Sequence, residues 1–181
     1  MSVGIVLYGA PATGKDTVTS ALVAQDATFQ LYERIKCGPG RTAGYRMVSL
    51  AEFQRLSLAG DFIWTNERYN ARYAIDRAGL EQQLTDGSVP VVHAGQPEVI
   101  DAVRNTMRHV RWFVVQLVCS RDTAQTRIIA RSTGDTIARL AAWDATPRLQ
   151  ADLTIDTDST PPEATARAIR SLIEAHDQSD C

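Results

Sequence analysis

Cysteine and histidine are scarce in this chain, three of each, and neither is clustered. Cys37, Cys119 and Cys181 are odd in number and far apart. That excludes a disulfide framework and a cysteine-rich zinc site, and it points to a reducing, cytoplasmic setting. The scattered histidines lack the spacing of a metal hydrolase. No apolar run is long enough to span a bilayer. The chain enters an apolar strand at once, so no signal peptide is expected. A formal net charge of -2 leaves no broad basic field. Nucleic acid and anionic membrane are therefore not expected as partners. No internal repeat or low-complexity linker breaks the sequence, and a monomer or homodimer is expected.

What the chain does have is apolar content, 44% of 181 residues, enough for the core of one domain. Val3 to Tyr8 is a short apolar run that reads as a buried parallel strand. Val18 to Val23 reads as a helix. Between them stands Gly9-Ala10-Pro11-Ala12-Thr13-Gly14-Lys15-Asp16-Thr17. Strand, glycine-bracketed loop and helix are the setting of a phosphate-binding P-loop. The glycines let backbone N–H groups converge on an anion, and the helix N-terminus adds a partial charge of ~0.5. Lys15 can reach the outer phosphates as a point charge. Asp16 occupies the place where Ser or Thr usually meets Mg²⁺, and Thr17 brings a hydroxyl one place later. Two readings of Asp16 stand: an outer-sphere Mg²⁺ contact, or a first-turn acid stabilised by the helix dipole by roughly 0.3–1 kcal/mol.

Further along, Phe29 to Lys36 reads as a second strand, Cys37 to Gly44 as a loop and Tyr45 to Val48 as extended. Ser49-Leu50-Ala51-Glu52 is a capping box opening a helix that stops at Gly60. Asp61 to Trp64 reads as a short strand and Ala78 to Thr85 as a helix. Val89 to His93 and Trp112 to Cys119 read as buried strands. Pro97 to Met107 is a helix with proline in its first turn. A helix from Arg121 or Asp122 to Arg131 is broken at Ser132-Thr133-Gly134-Asp135. Leu153 to Asp156 is the last strand, and Pro161 to Ala175 a closing amphipathic helix. Alternating strands and helices imply a three-layer α/β/α fold around a parallel sheet, with ligands beyond the carboxyl ends of the strands.

Arg127 and Arg131 lie one helical turn apart, and Arg139 follows the break. Such a hinged basic segment, about 131–146, suits a lid that neutralises a transferring phosphoryl group and excludes water. The alternative is a solvated face with weak surface pairs. Arg34, Lys36, Arg41 and Tyr45, continued by Tyr69, Arg72 and Tyr73, suit an acceptor that carries its own phosphate. The alternative is an ordinary surface loop.

In this order the P-loop, the Pro-Gly-Arg loop, Gly44-Tyr45-x-x-Val48-Ser49-x-x-Glu52-Phe53, Gly60-Asp61-Phe62, Tyr69-Asn70-Ala71-Arg72-Tyr73 and the arginine lid resemble the guanylate kinase superfamily. The resemblance implies a P-loop NTPase core (1–33 and 77–181), a small acceptor-binding insert (34–76) and an ATP-dependent kinase using Mg²⁺. It implies that Lys15, Arg127, Arg131 and Arg139 hold the transferring phosphates, and that Arg34 or Lys36, Arg41, Tyr45 and Tyr73 hold the acceptor's phosphate. Yet the family's guanine-binding glutamate falls at Trp64 and its guanine-contacting hydroxyl at Ile75. The stretch ending the middle strand is His93-Ala94-Gly95-Gln96, without the family's acid. Each lost buried partner costs roughly 1–3 kcal/mol. These departures resemble the ribose 1,5-bisphosphate phosphokinases, which commonly carry Gly-Lys-Asp in the P-loop. A ribose phosphate or a non-GMP nucleoside monophosphate is the implied acceptor. Trp64 is open to two roles, stacking on an acceptor ring or filling the core. His93 is open to two as well: a base toward a hydroxyl acceptor, as in a natural-product kinase, or a hydrogen-bonded strand-end residue. A true guanylate kinase is a further enzyme alternative; a binding module that has lost catalysis is the non-enzyme one, and the intact Gly14-Lys15 pair speaks against it.

Overall fold

In the computed structural model, the described residues are 2–132 and 134–179. Thr133, within the expected lid segment, and Cys181 lie outside them. Five parallel strands form the main sheet: β1 (Ser2–Tyr8), β2 (Phe29–Leu31), β7 (Val89–Ala94), β8 (Val110–Val118) and β9 (Leu153–Asp156), in the order β2-β7-β1-β8-β9. Alternate residues of the central strand feed opposite faces, as a doubly covered sheet requires. Ile5 and Leu7 pack against Val18 and Leu22 of α1 (Lys15–Gln25) and Ala166 and Ile169 of α7 (Pro162–Ser179). Val6 and Tyr8 pack against Leu80 of α3 (Arg77–Thr85) and Val99, Val103 and Met107 of and just beyond α4 (Glu98–Thr106). Full burial of one such side chain is worth about 1.5–3 kcal/mol. The architecture is the expected α/β fold with a parallel sheet covered on both sides.

A second sheet is drawn from residues 34–76: β3 (Arg34–Cys37), β4 (Tyr45–Met47), β5 (Phe62–Arg68) and β6 (Ala71–Asp76), in the order β4-β3-β6-β5. Helix α2 (Leu50–Leu58) covers it through Phe53, which packs with Ile35 and Ala74. Ser49 caps α2, its hydroxyl accepting from the Glu52 amide at 3.1 Å. The expected reciprocal bond does not form, because Glu52 accepts two 2.8 Å bonds from Arg55.

Two expectations change here. The single strand foreseen over Phe29 to Lys36 is two strands in different sheets. The chain follows the main sheet as far as Tyr32, whose amide donates to Val91 O at 3.0 Å, and then crosses over. The short strand foreseen at Asp61 to Trp64 is one arm of a hairpin reaching Arg68. Its turn, Tyr69-Asn70, takes positive φ (53° and 58°) without a glycine. The usual sequence signal for such a turn is therefore missing.

The two crossings between the sheets, at Tyr32 and Asp76, are tied together. Asp76 caps α3 by accepting from the Gly79 amide at 2.9 Å. Its carboxylate also accepts from the Tyr32 hydroxyl and from Arg46 of β4. Burial opposes its charge, yet the Arg46 and Tyr32 hydrogen bonds hold its pKa below the usual carboxylate value. Gly79 is needed for this approach: a Cβ there would lie 2.7 Å from Arg46 Nη2.

Candidate active site

Beyond the carboxyl end of β1 the chain turns through the glycine-bracketed loop. Gly9 N is anchored to Ala94 O of β7 at 3.0 Å. Thr13 is buried, and its hydroxyl donates to Ala10 O at 2.9 Å. Gly14 reaches φ 95° and starts α1 without any side-chain cap. The first-turn amides of α1 thus remain available to an anion. Lys15 Nζ donates to Gly9 O at 2.6 Å and Ala10 O at 2.9 Å, folded along the loop. Burial lowers its pKa to about 8, with Asp16 opposing and Arg34 and Arg131 assisting.

Arg127 of α5 (Arg121–Ala130) stands behind this loop. Its guanidinium donates to Ala12 O at 3.1 Å and to Thr157 Oγ1 and O at 3.3 Å each. It does not line the cleft beside the P-loop. Its place is that of a buttress, holding the residue with φ 64°, Ala12, from outside.

Asp16 projects from the first turn of α1 into the cleft. Its Oδ2 pairs with Arg41 Nη1 at 2.9 Å, which links α1 to the loop after β3. Burial opposes ionisation, but the Arg41 hydrogen bond and neighbouring cations keep its pKa lowered. Thr17 is exposed on the same turn. His93, at the end of β7, has Nε2 2.8 Å from Thr19 Oγ1 and Nδ1 3.8 Å from Asp16 Oδ1. Burial first, then the charge of Lys15, drives its pKa down to about 3. His93 is therefore neutral near pH 7, and its contact with Asp16 is not an ion pair.

Across the cleft, Lys36 is 2% exposed, and its ammonium donates to Arg41 O at 2.6 Å. It lies 5.3 Å and 5.6 Å from the ring centres of Tyr45 and Tyr73. Burial lowers its pKa. Among the described residues no carboxylate pairs with it. Arg34 lines the cleft, donates to His93 O and stacks its guanidinium 5.1 Å over the Trp64 ring. Trp64 itself packs against the main core and does not line the cleft. Its position fits the core role weighed above. Ile75 is wholly buried. Arg72 is not brought to the cleft either. Strand alternation sends it to the opposite face from Tyr73, where it pairs with Glu67 at 3.6 Å.

The arginines of and after α5 divide. Arg131 and Arg139 both line the cleft, whereas Arg127 does not. Arg139 belongs to α6 (Thr136–Asp144), a helix without a single buried residue. It bonds Asp135 at 2.7 Å and lies 5.0 Å over the ring of Tyr69 at the tip of the hairpin. Burial opposes its charge, and the bond to Asp135 more than restores it.

Together these groups surround one cleft of about 1060 Å³ between the two sheets. Several of its polar residues were missed in the sequence, among them Arg68, Asn66 and Gln96. Asn66 Nδ2 donates to Gln96 Oε1 at 2.8 Å, spanning from the hairpin to the loop after β7. The missing signal was the register: in the hairpin Asn66 stands opposite Tyr73. Recognising a turn at Tyr69-Asn70 would have placed it in the cleft. Among the described residues no cluster of three or more His, Cys, Asp or Glu is placed to hold a metal ion. None of the helices there is long and apolar enough to cross a membrane.

Solved structures share this fold. A crystal structure of guanylate kinase from Anaplasma phagocytophilum superposes with a TM-score of 0.63 at 20% identity, covering 97% of this chain and 86% of that one. The fold is guanylate kinase-like. The crystal structure of APE1195 is similar over 96% of both chains, with a TM-score of 0.54 and 13% identity. No protein-family model matches the chain, and no curated protein does. At these identities the guanylate kinase-like likeness concerns the fold and leaves the acceptor to be argued from the cleft itself.

Proposed function

We propose that this chain is an ATP-dependent phosphotransferase whose acceptor is a small phosphorylated metabolite. The acceptor is a ribose phosphate such as ribose 1,5-bisphosphate, or a nucleoside monophosphate other than GMP. One observation carries the reading: a single cleft is lined by cations both from the P-loop and from the second sheet. At the proposed donor end are the P-loop amides and Lys15, with Arg131 near enough to help lower the Lys15 pKa, while Arg139 lies over Tyr69 of the hairpin. At the other end is Lys36, buried between two tyrosines and lacking a carboxylate. The γ-phosphoryl group leaves ADP as a new P–O bond forms to an anionic oxygen of the acceptor's phosphate. Such transfer depends on positioning and charge neutralisation and needs no strong base.

The guanine contacts are absent from the cleft. Trp64 and Ile75 point into cores, and the lining carboxylates Asp16 and Asp135 are each bonded to an arginine. A base that presents adjacent N–H donors finds no unengaged carboxylate there. Mg²⁺ fits the site in the manner of phosphotransferases, where one or two carboxylates and the substrate's own phosphates hold the ion. Asp16 would supply the protein's share, through water while Arg41 keeps its Oδ2; Thr17, expected to share the ion, is exposed and does not line the cleft. The ion would supply neutralisation of the β- and γ-phosphate oxygens.

A hydroxyl-directed kinase with His93 as base is the weaker reading. The imidazole is engaged by Thr19, and its low pKa makes it a poor proton acceptor. The test is a coupled ADP-release assay with ribose 1,5-bisphosphate, ribose 5-phosphate, the four nucleoside monophosphates and free ribose, with Lys15→Ala as control. Turnover with a phosphorylated acceptor other than GMP is expected, falling about 10²–10³-fold in the variant. Equal turnover in Lys15→Ala, or a strict demand for an unphosphorylated hydroxyl, would overturn it.

A further inference from the structure

With the two phosphate seats accounted for, the rest of the cleft wall has a narrow chemical inventory. Asn66 and Gln96 line it side by side, half-buried, and are bonded to each other at 2.8 Å. One bond uses one N–H of one amide and one carbonyl lone pair of the other. The pair is left with a free carbonyl on one residue and a free NH₂ on the other, plus the second N–H and the second lone pair of the two bonded groups. Exchanging the two amide orientations swaps which residue supplies which, and the inventory stays the same. The pair also bridges the two halves of the cleft. Asn66 belongs to the hairpin of the second sheet, and Gln96 to the loop that leaves the main sheet.

We infer that Asn66 and Gln96 are specificity-determining residues, reading adjacent hydroxyl groups of a sugar phosphate held by the Lys36 seat. This rests on the kinase reading above and deepens it. Each hydroxyl can donate to the free carbonyl or accept from the free NH₂, so two neighbouring hydroxyls satisfy both at once. The guanine N1–H and N2 donors could also be met, by the free carbonyl and by the second lone pair of the bonded one. An adenine or cytosine edge could match the amides, but a base also needs a flat partner. Each aromatic ring near the pair already has a cation on or beside it. Trp64 lies beneath Arg34, Tyr69 beneath Arg139, and Tyr45 and Tyr73 flank Lys36. A ring bearing hydroxyls asks for no such face.

The test is calorimetric binding of ribose 5-phosphate, methyl phosphate and AMP to the full chain, comparing wild type with Asn66→Leu and Gln96→Leu. Wild type is expected to bind ribose 5-phosphate at least tenfold more tightly than methyl phosphate. Each variant should lose most of that advantage while its affinity for methyl phosphate and for ATP stays within twofold. Gln96→Met keeps the chain length and should behave as Gln96→Leu if the leucine variants fold poorly. Three outcomes overturn the inference. Methyl phosphate could weaken in parallel, which makes the pair a clasp between the sheets. The ribose preference could survive both substitutions. AMP could bind more tightly than ribose 5-phosphate and be the probe that suffers, which makes the pair a base reader. ATP binding to wild type and Lys15→Ala judges the kinase reading separately, so the two can fail independently.

Discussion

At the end of the cleft proposed for the donor, one unbroken stretch, Gly9 to Thr17, forms the loop, and its geometry comes from local backbone turns. At the acceptor end the groups come from β3, β4, β5, β6 and the loop after β7. No two neighbours in that set are neighbours in the chain for long. Their arrangement depends on the second sheet and on the tie between its two crossings, Tyr32–Asp76–Arg46. The contrast teaches where damage should travel. A change in the P-loop should abolish donor binding and spare the fold. A change at the crossings should loosen the acceptor end and cost stability.

The sharpest way to break this comparison is inside the arginine set. Arg139→Ala removes a cation of the cleft, and Arg127→Ala removes the buttress behind Ala12. Steady-state assays should show a loss of about 10³-fold in turnover for Arg139→Ala with the melting temperature unchanged. Arg127→Ala should lower the melting temperature. If Arg127→Ala left stability untouched and removed only turnover, the buttress assignment would fall.

Next in size is the tie between the sheets. Asp76→Ala removes a helix cap and leaves Arg46 and Tyr32 without their shared acceptor. Urea unfolding should record a loss of about 2–4 kcal/mol. Affinity for an acceptor phosphate should fall more than affinity for ATP. Equal losses at both ends would show that the second sheet is not the separate support described above.

Lys36→Met addresses the acceptor seat alone. A charged hydrogen bond is worth roughly 1.5–3 kcal/mol, so a ten- to hundredfold weaker binding of ribose 5-phosphate is expected. The ATP dissociation constant should not move. The smallest effect is a pH dependence. Lys15 has its pKa lowered to about 8 by burial, against about 10.4 for an exposed lysine. Above pH 8 the folded chain sheds this proton before the unfolded chain does. Stability should therefore rise slightly between pH 8 and the unfolded pKa, while affinity for ATP declines. Below pH 8 both states keep the proton, and neither quantity should vary on its account. His93, neutral above about pH 3, should add no limb near pH 6.5 to the turnover profile. A limb there would restore it as a candidate base.

How much of this was legible in the sequence follows the same division. The P-loop could be read because its signal is contiguous and its context local. The main strands could be read because burial on both faces makes them nearly continuous apolar runs. The crossing at Tyr32 could not, since one apolar stretch serves two sheets and nothing in it marks the handover. Strand β6 was missed because the Tyr69-Asn70 turn adopts positive φ without glycine. Once β6 was missed, so were the register that places Asn66 in the cleft and the alternation that sends Arg72 away from it. Arg127 and Arg131 share a helical face, as their spacing says. Which of them reaches the cleft depends on where the helix ends against Thr157, and spacing carries no information about that. Trp64 was open to two roles because its neighbour Arg34 is distant in sequence.

The central claim is that the turn after β1 seats a nucleotide's phosphates and that Lys15 is its charge. The most direct measurement is a calorimetric titration of ATP into wild type and Lys15→Ala at pH 7. Saturable binding in wild type, weakened at least a hundredfold in a variant with an unchanged melting temperature, is the predicted result. Equal binding by the two proteins, or none by wild type, would contradict it.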